Sequence, residues 1–254
     1  MQLTNRVALI TGSAGGIGSA VSRELASQGA ALCLVDLAST ATLAAELRAA
    51  GHQVTEIAAD VTKRTNITEA VRATCATLGR LDILVNVAGT VSLGAAADIS
   101  EAEWDRVLAV NLKGTFLACQ AAMAPMRAQH YGRIINIGSV LGKNGGNPRP
   151  WIDPAEQKNA ANAAYGASKA GVHALTLYLA KELAADGITV NAVAPGPVAS
   201  LMTTNFPEAL RRLIPAGRMG ANTDVAAAVA FLASERSGFI TGEILDVNGG
   251  MWCD

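Results

Sequence analysis

Residues 7–18 read VALITGSAGGIG, and this stretch decides the fold of the chain. The run VALIT (7–11) is apolar and β-branched, which is typical of a buried strand. In the turn that follows, Gly12, Gly16 and Gly18 leave out side chains where the backbone bends sharply, where amides must approach a phosphate, and where a helix packs on the strand. The pattern predicts a strand, a glycine turn and a helix whose N-terminus binds an anion.

An acidic residue ends the next predicted strand. AALCLVD (30–36) finishes at Asp36, eighteen positions after Gly18, and this spacing suits a carboxylate that accepts hydrogen bonds from the ribose diol of a dinucleotide. A 2′-phosphate at the same place would be repelled by the carboxylate, and the glycine turn has no arginine to offset that repulsion. The sequence therefore favours NAD as the cofactor over NADP.

Strands and helices alternate along all 254 residues. Apolar β-branched runs predict strands at 7–11, 30–36, 55–60, 82–89, 133–139, 188–196 and 243–250. Helical periodicity predicts helices at 16–28, 40–50, 66–78, 101–128, 163–185 and 222–234. Strands separated by helices imply right-handed crossovers and a parallel sheet covered on both faces. We expect one α/β domain over residues 1–254, with a doubly wound, Rossmann-like fold, a mostly parallel seven-stranded sheet and helices on both faces.

The bulk composition argues against several classes of function. A net charge of −1 gives no electrostatic support for binding nucleic acid. The four cysteines lack CxxC spacing, which is typical of reduced thiols in a cytoplasmic protein. The N-terminus enters a strand pattern at once and no apolar run approaches the length of a membrane span, so we expect neither an export segment nor a membrane contact. His52, His130 and His173 are far apart in sequence and predict no metal site.

The segment YGASK (165–169) puts a phenol and an ammonium group one helical turn apart. Because residues i and i+4 share a face of a helix, the Tyr165 hydroxyl and the Lys169 amine can approach a common point. Taken alone, such a pair is more often an ordinary solvated pair on a helix surface. The other motifs of the chain decide between a surface pair and a catalytic pair.

Taken together, the motifs resemble the short-chain dehydrogenase/reductase family nearly end to end. The matching segments are TGSAGGIG (11–18), NVAG (86–89), VNLKGTF (110–116), Ser139 at the end of the fifth predicted strand, YGASK (165–169) and PGPVASLM (195–202). In the family they correspond to the cofactor turn, the NNAG segment, the helix asparagine, the catalytic serine, the YxxxK pair and the segment beside the nicotinamide. The resemblance implies an NAD-dependent enzyme that interconverts a secondary alcohol and a ketone.

Four catalytic residues are implied by the resemblance: Asn111, Ser139, Tyr165 and Lys169. Tyr165 is expected to act as general base in oxidation and as general acid in reduction. A nearby ammonium and the positive nicotinamide ring of the oxidised cofactor both stabilise a phenolate, so Lys169 and the bound cofactor together are expected to lower the pKa of Tyr165. Lys169 is also expected to hold the nicotinamide ribose. Ser139 is expected to hydrogen-bond the substrate oxygen, and Asn111 to help hold a water through which protons reach solvent.

The resemblance also implies the cofactor contacts. The pyrophosphate is expected at Gly12, Ile17 and Gly18, and the adenosine ribose at Asp36. The remaining contacts are Asp60 and Val61 at the adenine, Asn86, Ala88 and Gly89 on the adenosine side, Tyr165 and Lys169 at the nicotinamide end, and Pro195, Gly196, Val198 and Ser200 towards the carboxamide. Val87 replaces the second asparagine of NNAG, so we expect that turn to be held differently.

Residues 141–163 depart most from the family pattern. They put Tyr165 26 positions after Ser139, more than the family usually has, and they include three prolines, three glycines and four asparagines. We expect a long loop beside the substrate pocket, with a short helix after Pro154. Its candidate substrate contacts are Lys143, Asn144, Arg149 and Trp151. The alternative is that this segment packs on the surface or against another subunit, with Trp151 as the anchor.

Two further expectations come from the resemblance. Residues 200–220 follow the PGPV segment, where the family carries a mobile lid over the substrate, although structural burial is an equally good interpretation of its apolar side chains. The last strand and tail resemble a region that often packs between subunits in the family, and a homotetramer is expected on that ground.

Three hypotheses for the function remain open. The first is an NAD-dependent dehydrogenase for a polar secondary alcohol, such as a sugar, a polyol or an anionic hydroxy compound. The second is a 3-oxoacyl-thioester (acyl-carrier-protein) reductase, against which Asp36 argues because such an enzyme would prefer NADPH. The third is a catalytically silent nucleotide-sensing or scaffold protein, against which the intact set of four catalytic residues argues.

Overall fold

The computed structural model describes residues 2–146, 154–199, 203, 206 and 208–253. The strands are β1 (Val7–Thr11), β2 (Ala31–Asp36), β3 (Val54–Ala58), β4 (Ile83–Asn86), β5 (Gly132–Ile137), β6 (Ile188–Pro195) and β7 (Ile244–Val247). The α-helices are α1 (Gly16–Ser27), α2 (Ala41–Ala49), α3 (Arg64–Leu78), α4 (Glu101–Leu108), α5 (Gly114–Ala128), α6 (Leu141–Asn144), α7 (Ala163–Leu183), α8 (Glu208–Arg211) and α9 (Asn222–Ala233). Short 3₁₀ segments lie at Ala96–Asp98, Pro154–Asn159, Ala184–Asp186 and Glu235–Ser237.

All seven strands form one parallel sheet in the order β3-β2-β1-β4-β5-β6-β7. The order reverses between β1 and β4, because the chain first builds outward to β3 and then returns to the other side of β1. In doubly wound sheets, ligands bind at the carboxyl ends of the strands beside this switch point. The predicted fold class is confirmed.

Alternate side chains of each strand supply the two layers of the core. Ile10 of β1 packs with Val21 of α1 and Val225 of α9 on one face of the sheet. Leu9 of β1 belongs to the opposite cluster, with Met126 of α5 and others from α3 and α7. This two-sided burial is why the strands read as continuous apolar runs.

Three local features differ from the predicted elements. The fourth strand was expected over 82–89, but β4 ends at Asn86 and the remaining residues form a turn. The helix expected over 101–128 contains a π-helical segment, Ala109–Lys113, between α4 and α5. Part of the segment expected to be a loop is helical, since α6 forms one turn directly after the end of β5. The predicted short helix after Pro154 is present as a 3₁₀ segment.

The continuous helical stretch Glu101–Ala128 is long and apolar enough to cross a membrane by length and composition, with a window of mean hydropathy 1.3. This differs from the expectation that no apolar run approaches that length. In the structure α5 packs against α3, and the π-helical segment packs against α7. The stretch therefore has the placement of a core helix, with 44% of its window buried inside the protein.

Candidate active site

The glycine turn after β1 has the shape that the sequence predicts for a phosphate cradle. Gly12 has φ of 69°, in the left-handed region, and a Cβ there would lie 2.6 Å from the Ala88 nitrogen. A Cβ on Gly18 would lie 2.1 Å from the Gly12 carbonyl oxygen. Helix α1 starts at Gly16, and no side chain of the described residues caps its N-terminus. Its first amides, including that of Ile17, are therefore directed at the space where an anion would bind.

Asp36 is held at the end of β2 by main-chain amides. One carboxylate oxygen accepts a hydrogen bond from the Ala14 amide at 2.9 Å, and the other accepts from the Ala38 amide at 2.9 Å. Each oxygen keeps lone pairs for further donors. The carboxylate is therefore fixed in orientation beside the glycine turn and can accept the two hydroxyls of a ribose.

The predicted adenine wall follows β3, which pairs directly with β2. Asp60 accepts hydrogen bonds from the amide and the hydroxyl of Thr62, at 2.8 and 2.7 Å. These bonds hold the pKa of the Asp60 carboxyl below its usual value. Val61 is buried against Gly114, where a Cβ would lie 2.9 Å from the valine Cγ2. The structure thus brings both residues to the same edge of the sheet as Asp36.

The segment after β4, where Val87 replaces the second asparagine of NNAG, is tied to the end of β1. The Ala88 amide donates to the Thr11 hydroxyl at 3.3 Å, which ties the turn to the end of β1. Gly89 lies beside the catalytic helix, since a Cβ there would be 3.7 Å from the Lys169 Nζ. The Asn86 side chain points into the core, where its Nδ2 donates to Asn136 at 2.9 Å. Any cofactor contact from Asn86 would come from its main chain.

Asn111 lies in the π-helical segment and is fully buried. Its side-chain oxygen accepts from the Thr90 amide at 2.8 Å, and its Nδ2 donates to the Thr90 carbonyl and to the Ser168 hydroxyl, both at 2.9 Å. Both amide protons are therefore used within the protein. Asn111 joins the turn after β4 to helix α7, immediately beside Lys169, and π-helical segments are frequent at such functional positions.

Tyr165, Ser139 and Lys169 come together at the carboxyl end of β5. The Tyr165 hydroxyl is hydrogen-bonded to Ser139, whose Oγ also accepts from the Leu141 amide at 3.2 Å. Lys169 is buried, and its Nζ donates to the Ile137 carbonyl at 2.6 Å and lies 5.8 Å from the centre of the Tyr165 ring. The YGASK pair is thus part of a cluster inside the fold and is not a solvated surface pair.

In the protein without a bound cofactor, the pKa of Tyr165 is shifted in the opposite direction to the one expected from the sequence. Burial raises the pKa of Tyr165 above its usual value, and the hydrogen bond with Ser139 opposes this only in part. Burial also lowers the pKa of Lys169 to about 8. A lowered Tyr165 pKa was expected because of the nearby ammonium and the bound cofactor. In the protein alone, desolvation of the phenol has the largest effect on this pKa, because removal from water disfavours the charged form.

The segment after β6 forms a wall beside this cluster. Gly196 donates its amide to Val247 at 3.0 Å, and a Cβ on Gly196 would lie 2.9 Å from the Asn248 Cα. Val198 is buried and forms a bridge to Gly220. Pro195, at the end of β6, is buried as well. Ser200 lies outside the described residues. In the described part of the predicted lid, Leu210 and Ile214 are buried.

The predicted substrate contacts in 141–163 can be located only in part. The Lys143 ammonium donates to the Ile244 carbonyl at 2.9 Å and pairs with Asp246 at 3.0 Å, so it helps to fix β7. The Asn144 side chain accepts from the Gly146 amide at 3.0 Å, which closes a local turn. Arg149 and Trp151 lie outside the described residues. A substrate role for these four residues stays a prediction.

Asn162 and His173 help to hold the catalytic helix α7 in place, and neither was predicted as a site residue. Asn162 caps the N-terminus of α7 by accepting from the Ala164 amide at 3.1 Å, and its Nδ2 donates to the Ser92 hydroxyl at 2.7 Å. His173 accepts a hydrogen bond from the Ser139 amide at 3.3 Å. An asparagine just before a helical pattern is a capping signal, and His173 follows Lys169 by four residues on the same face. The cap at Asn162 and the shared helix face of Lys169 and His173 could therefore be predicted from the sequence, but the contact between His173 and the Ser139 amide could not.

The residues described here contain no group of three or more His, Cys, Asp or Glu side chains that could hold a metal ion. Of the three histidines, only His173 is in contact with the catalytic cluster among the contacts described above.

Comparison with known proteins identifies the family. A family model described as enoyl-(acyl carrier protein) reductase matches residues 12–252. A solved structure of a short-chain dehydrogenase/reductase from Serratia marcescens is 36% identical, with a TM-score of 0.87 over 99% of both chains. The chain belongs to the short-chain dehydrogenase/reductase family. Another similar structure, gox2181, has a TM-score of 0.91 at 37% identity and covers 98% of this chain and 96% of that one.

Curated short-chain dehydrogenase/reductase relatives span the whole chain. The BbsD subunit of a hydroxy(phenyl)methylsuccinyl-CoA dehydrogenase from Thauera aromatica is 41% identical over 98% of both chains. A 2-(S)-hydroxypropyl-CoM dehydrogenase from Xanthobacter autotrophicus is 39% identical over 98% of both chains. A 3-oxoacyl-(acyl-carrier-protein) reductase from Staphylococcus epidermidis is 38% identical over 98% of this chain and 99% of the relative. These relatives are oxidoreductases, and this chain is an enzyme of the same kind.

Proposed function

We propose that this protein is an NAD(H)-dependent dehydrogenase that interconverts a secondary alcohol and its ketone. The observation that carries the proposal is the cluster at the end of β5, where the Tyr165 hydroxyl meets Ser139 and a buried Lys169 lies on the same helix face. That cluster lies on the same edge of the sheet as the glycine turn and Asp36, so one extended dinucleotide could reach from one to the other.

The residues present fit a dinucleotide. A Cβ at Gly12 or Gly18 would collide with main-chain atoms that shape the turn, so the tight turn depends on glycine at both positions. The N-terminus of α1 has no side-chain cap among the described residues, and Asp36 is oriented by two amides. When bound, the nicotinamide supplies the hydride acceptor for the alcohol carbon, and its reduced form supplies the hydride for the ketone.

The proton is moved by the side chains at the end of β5. Tyr165 Oη takes the hydroxyl proton of the alcohol in oxidation and returns it to the ketone oxygen in reduction. Ser139 Oγ, already hydrogen-bonded to Tyr165, orients that oxygen and stabilises the charge that develops on it. Because burial raises the pKa of Tyr165, the phenol needs a positive charge nearby to act as a base near neutral pH, and Lys169 provides it.

The preference for NAD rests on Asp36. A 2′-phosphate would meet a carboxylate whose two oxygens are already fixed by the Ala14 and Ala38 amides and cannot turn away without losing them. Repulsion and lost hydrogen bonds both disfavour NADP.

The substrate is proposed to be a polar secondary alcohol: a sugar, a polyol or an anionic hydroxy compound. Two of the dehydrogenase relatives are named for hydroxyl compounds carried on anionic coenzymes, one on CoA and one on CoM. Within the polar classes, these names favour an anionic hydroxy compound for this chain.

The reductase relatives favour a second candidate, a 3-oxoacyl-thioester (acyl-carrier-protein) reductase. The two candidates share the chemistry of Tyr165 and differ in cofactor and direction. NADPH-dependent reduction of a 3-oxoacyl thioester, faster than any NAD-dependent oxidation, would establish the second candidate. A third candidate, a silent nucleotide sensor or scaffold, is excluded by turnover that disappears in Tyr165→Phe.

The proposal includes a cytoplasmic homotetramer that acts on a small molecule, without nucleic acid or membrane as partner. Cys33, Cys75, Cys119 and Cys253 are free thiols, which suits a reducing compartment. Leu177 and Tyr178 of α7 are 44% and 78% exposed, which leaves apolar surface that another copy could cover. Light scattering coupled to gel filtration measures the number of subunits directly.

The experiment that tests the proposed function is a screen for NADH formation at 340 nm. The alcohols are neutral polyols, aldoses, their carboxylate and sulfonate counterparts, 3-hydroxybutyryl-CoA and simple apolar secondary alcohols, each with NAD and with NADP. We expect the fastest turnover with NAD and an anionic polar alcohol. Loss of that preference in Arg149→Ala would assign residues 141–163 to substrate recognition. Turnover of apolar alcohols alone would contradict the proposed substrate class.

A further inference from the structure

Strand β5 runs beyond its neighbour β4. The two strands pair up to Asn86 and Asn136, after which the chain that follows β4 turns away. On the other side, pairing with β6 continues, because the Gly138 amide donates to Val193 at 2.8 Å and the Val140 amide donates to Pro195 at 2.9 Å. Main-chain groups alternate along a strand, so those of Ile137 and Ser139 face the side where no strand remains.

Two side chains of α7 take the place of the missing strand. The Ile137 carbonyl accepts from Lys169 Nζ at 2.6 Å, and the Ser139 amide donates to His173 Nε2 at 3.3 Å. Lys169 and His173 are four residues apart on one face of the helix. Lys169 supplies the donor and His173 supplies the acceptor that a paired strand would have supplied. The Ile137 carbonyl and the Ser139 amide therefore both keep a hydrogen-bond partner.

The chain around Ser139 is shaped to fit the imidazole of His173. A Cβ on Gly138 would lie 2.1 Å from His173 Nε2, and a Cβ on Gly142 would lie 2.9 Å from His173 Cε1. His173 is itself buried, at 8% exposure. Glycines therefore stand on both sides of the catalytic serine. A larger residue at Gly138 would collide with the ring, and one at Gly142 would collide with both the ring and the main chain of α7 at Lys169 and Ala170, 2.8 Å away.

We propose that His173 is a positioning residue for the Ser139–Tyr165 pair. Its Nε2 holds the Ser139 amide, which fixes the strand end from which Ser139 Oγ meets the Tyr165 hydroxyl. Since a main-chain amide can only donate, Nε2 must be the unprotonated nitrogen and Nδ1 must carry the proton. His173 does not touch the reacting atoms, and this inference rests on the proposed function for its effect on turnover.

The effect on turnover is measured with acetoacetyl-CoA and NADH as test substrates. His173→Leu keeps an apolar side chain in the space but leaves the Ser139 amide without an acceptor, so kcat should fall about tenfold while KM for NADH stays near the wild-type value. His173→Gln puts an acceptor oxygen at a similar reach and should restore most of kcat. The matched control is His52→Leu, at a partly exposed position after α2, which should leave kcat unchanged.

A second readout does not depend on turnover. In protein labelled with ¹⁵N-histidine, the signals of His173 are those that disappear in His173→Gln, and they should show a neutral ring protonated on Nδ1 at pH 7.5. A ring protonated on Nε2, or a charged ring, would overturn the proposal, as would a wild-type kcat in His173→Leu. If the wild-type protein turned over neither acetoacetyl-CoA nor any alcohol of the screen described above, the proposed function would fail separately, and the tautomer would still decide whether His173 holds Ser139.

Discussion

Asp82 and Lys169 are both buried charged residues beside the central strands. Asp82 lies where the parallel strands begin, called here the amino edge of the sheet, and Lys169 lies where they end, the carboxyl edge. Asp82 precedes β4 and is fully buried; its two oxygens accept from the Val7 amide and from the guanidinium groups of Arg6 and Arg80. Lys169, at the carboxyl edge, donates to one main-chain carbonyl and forms no salt bridge within the described part of the chain.

The difference separates a charge that maintains the fold from a charge that is kept for chemistry. At the amino edge, hydrogen bonds and two cations compensate the burial of Asp82. At the carboxyl edge, the pKa of Lys169 is lowered to about 8 because burial is not compensated by a counter-ion. A fold tolerates such a group where function requires it, and the predictions below test this contrast.

The largest effect is expected from Tyr165→Phe at the carboxyl edge. Removing the hydroxyl removes the proton acceptor, and kcat should fall by about 10³-fold. Binding of NADH, followed by its fluorescence, and the melting temperature should stay near the wild-type values. Residual activity within tenfold of wild type would show that another group moves the proton.

Lys169→Met should lower the activity and raise the stability of the protein. Loss of the positive charge should lower kcat by about 100-fold, because nothing then offsets the raised pKa of Tyr165. The unfolding free energy at pH 7 should rise by about 2 kcal/mol, because removing a charge that is buried without a counter-ion gains about 3 kcal/mol and leaving the Ile137 carbonyl without its donor costs about 1 kcal/mol.

The pH dependence of that stability difference has a definite sign. The pKa of Lys169 is 10.5 as the ordinary value and about 8 in the folded protein, so the cost of its charge is fully present below pH 8. The cost disappears as the pH rises towards 10.5, where the lysine is neutral in both states. In urea unfolding, the difference in unfolding free energy between Lys169→Met and the wild type should therefore become smaller above pH 8. A difference that does not change with pH would show that the Lys169 charge is not its cause.

Asp82→Asn should give the opposite result at the amino edge. One hydrogen-bond acceptor becomes a donor facing cationic groups, and the unfolding free energy should fall by about 3 kcal/mol. The kcat of the folded fraction should not change, because the site lies at the other edge. Glu69→Gln, which removes an exposed ion pair with Arg72, is the matched control and should leave urea unfolding unchanged.

The smallest effect is expected from Asp36→Ala. It removes the ribose acceptor and the repulsion of a 2′-phosphate together, so the ratio of NADH to NADPH affinity should drop about tenfold. Calorimetric titration of both nucleotides measures this ratio without a substrate. An unchanged ratio would mean that another part of the site selects the cofactor.

Much of the fold could be predicted because it depends on short-range patterns. The glycine turn, the buried strands and the alternation of elements are properties of neighbouring residues, and the parallel sheet follows from them. The family assignment was predicted from the same motifs and is confirmed by the match over residues 12–252.

The parts that could not be predicted depend on distant partners. The ion pair of Lys143 could not be predicted because its partner Asp246 is 103 positions away in the sequence; the proposed substrate contact of Lys143 stays a prediction. The role of His173 depends on where β4 stops pairing with β5, which the apolar run at 82–89 does not reveal. The π-helical segment at Asn111 likewise follows from packing between α4, α5 and α7, and helical periodicity alone predicts a continuous helix.

The specificity of the wild-type enzyme for the oxidised nucleotide tests whether Asp36 and the Tyr165 cluster form one NAD-dependent site. With the fastest alcohol found in the screen, kcat/KM is measured for NAD and for NADP by the absorbance of the reduced product at 340 nm. We expect a preference for NAD of at least about tenfold. Equal use of NADP, a preference for it, or no nucleotide reduction with any alcohol would show that the chain is not an NAD-dependent dehydrogenase.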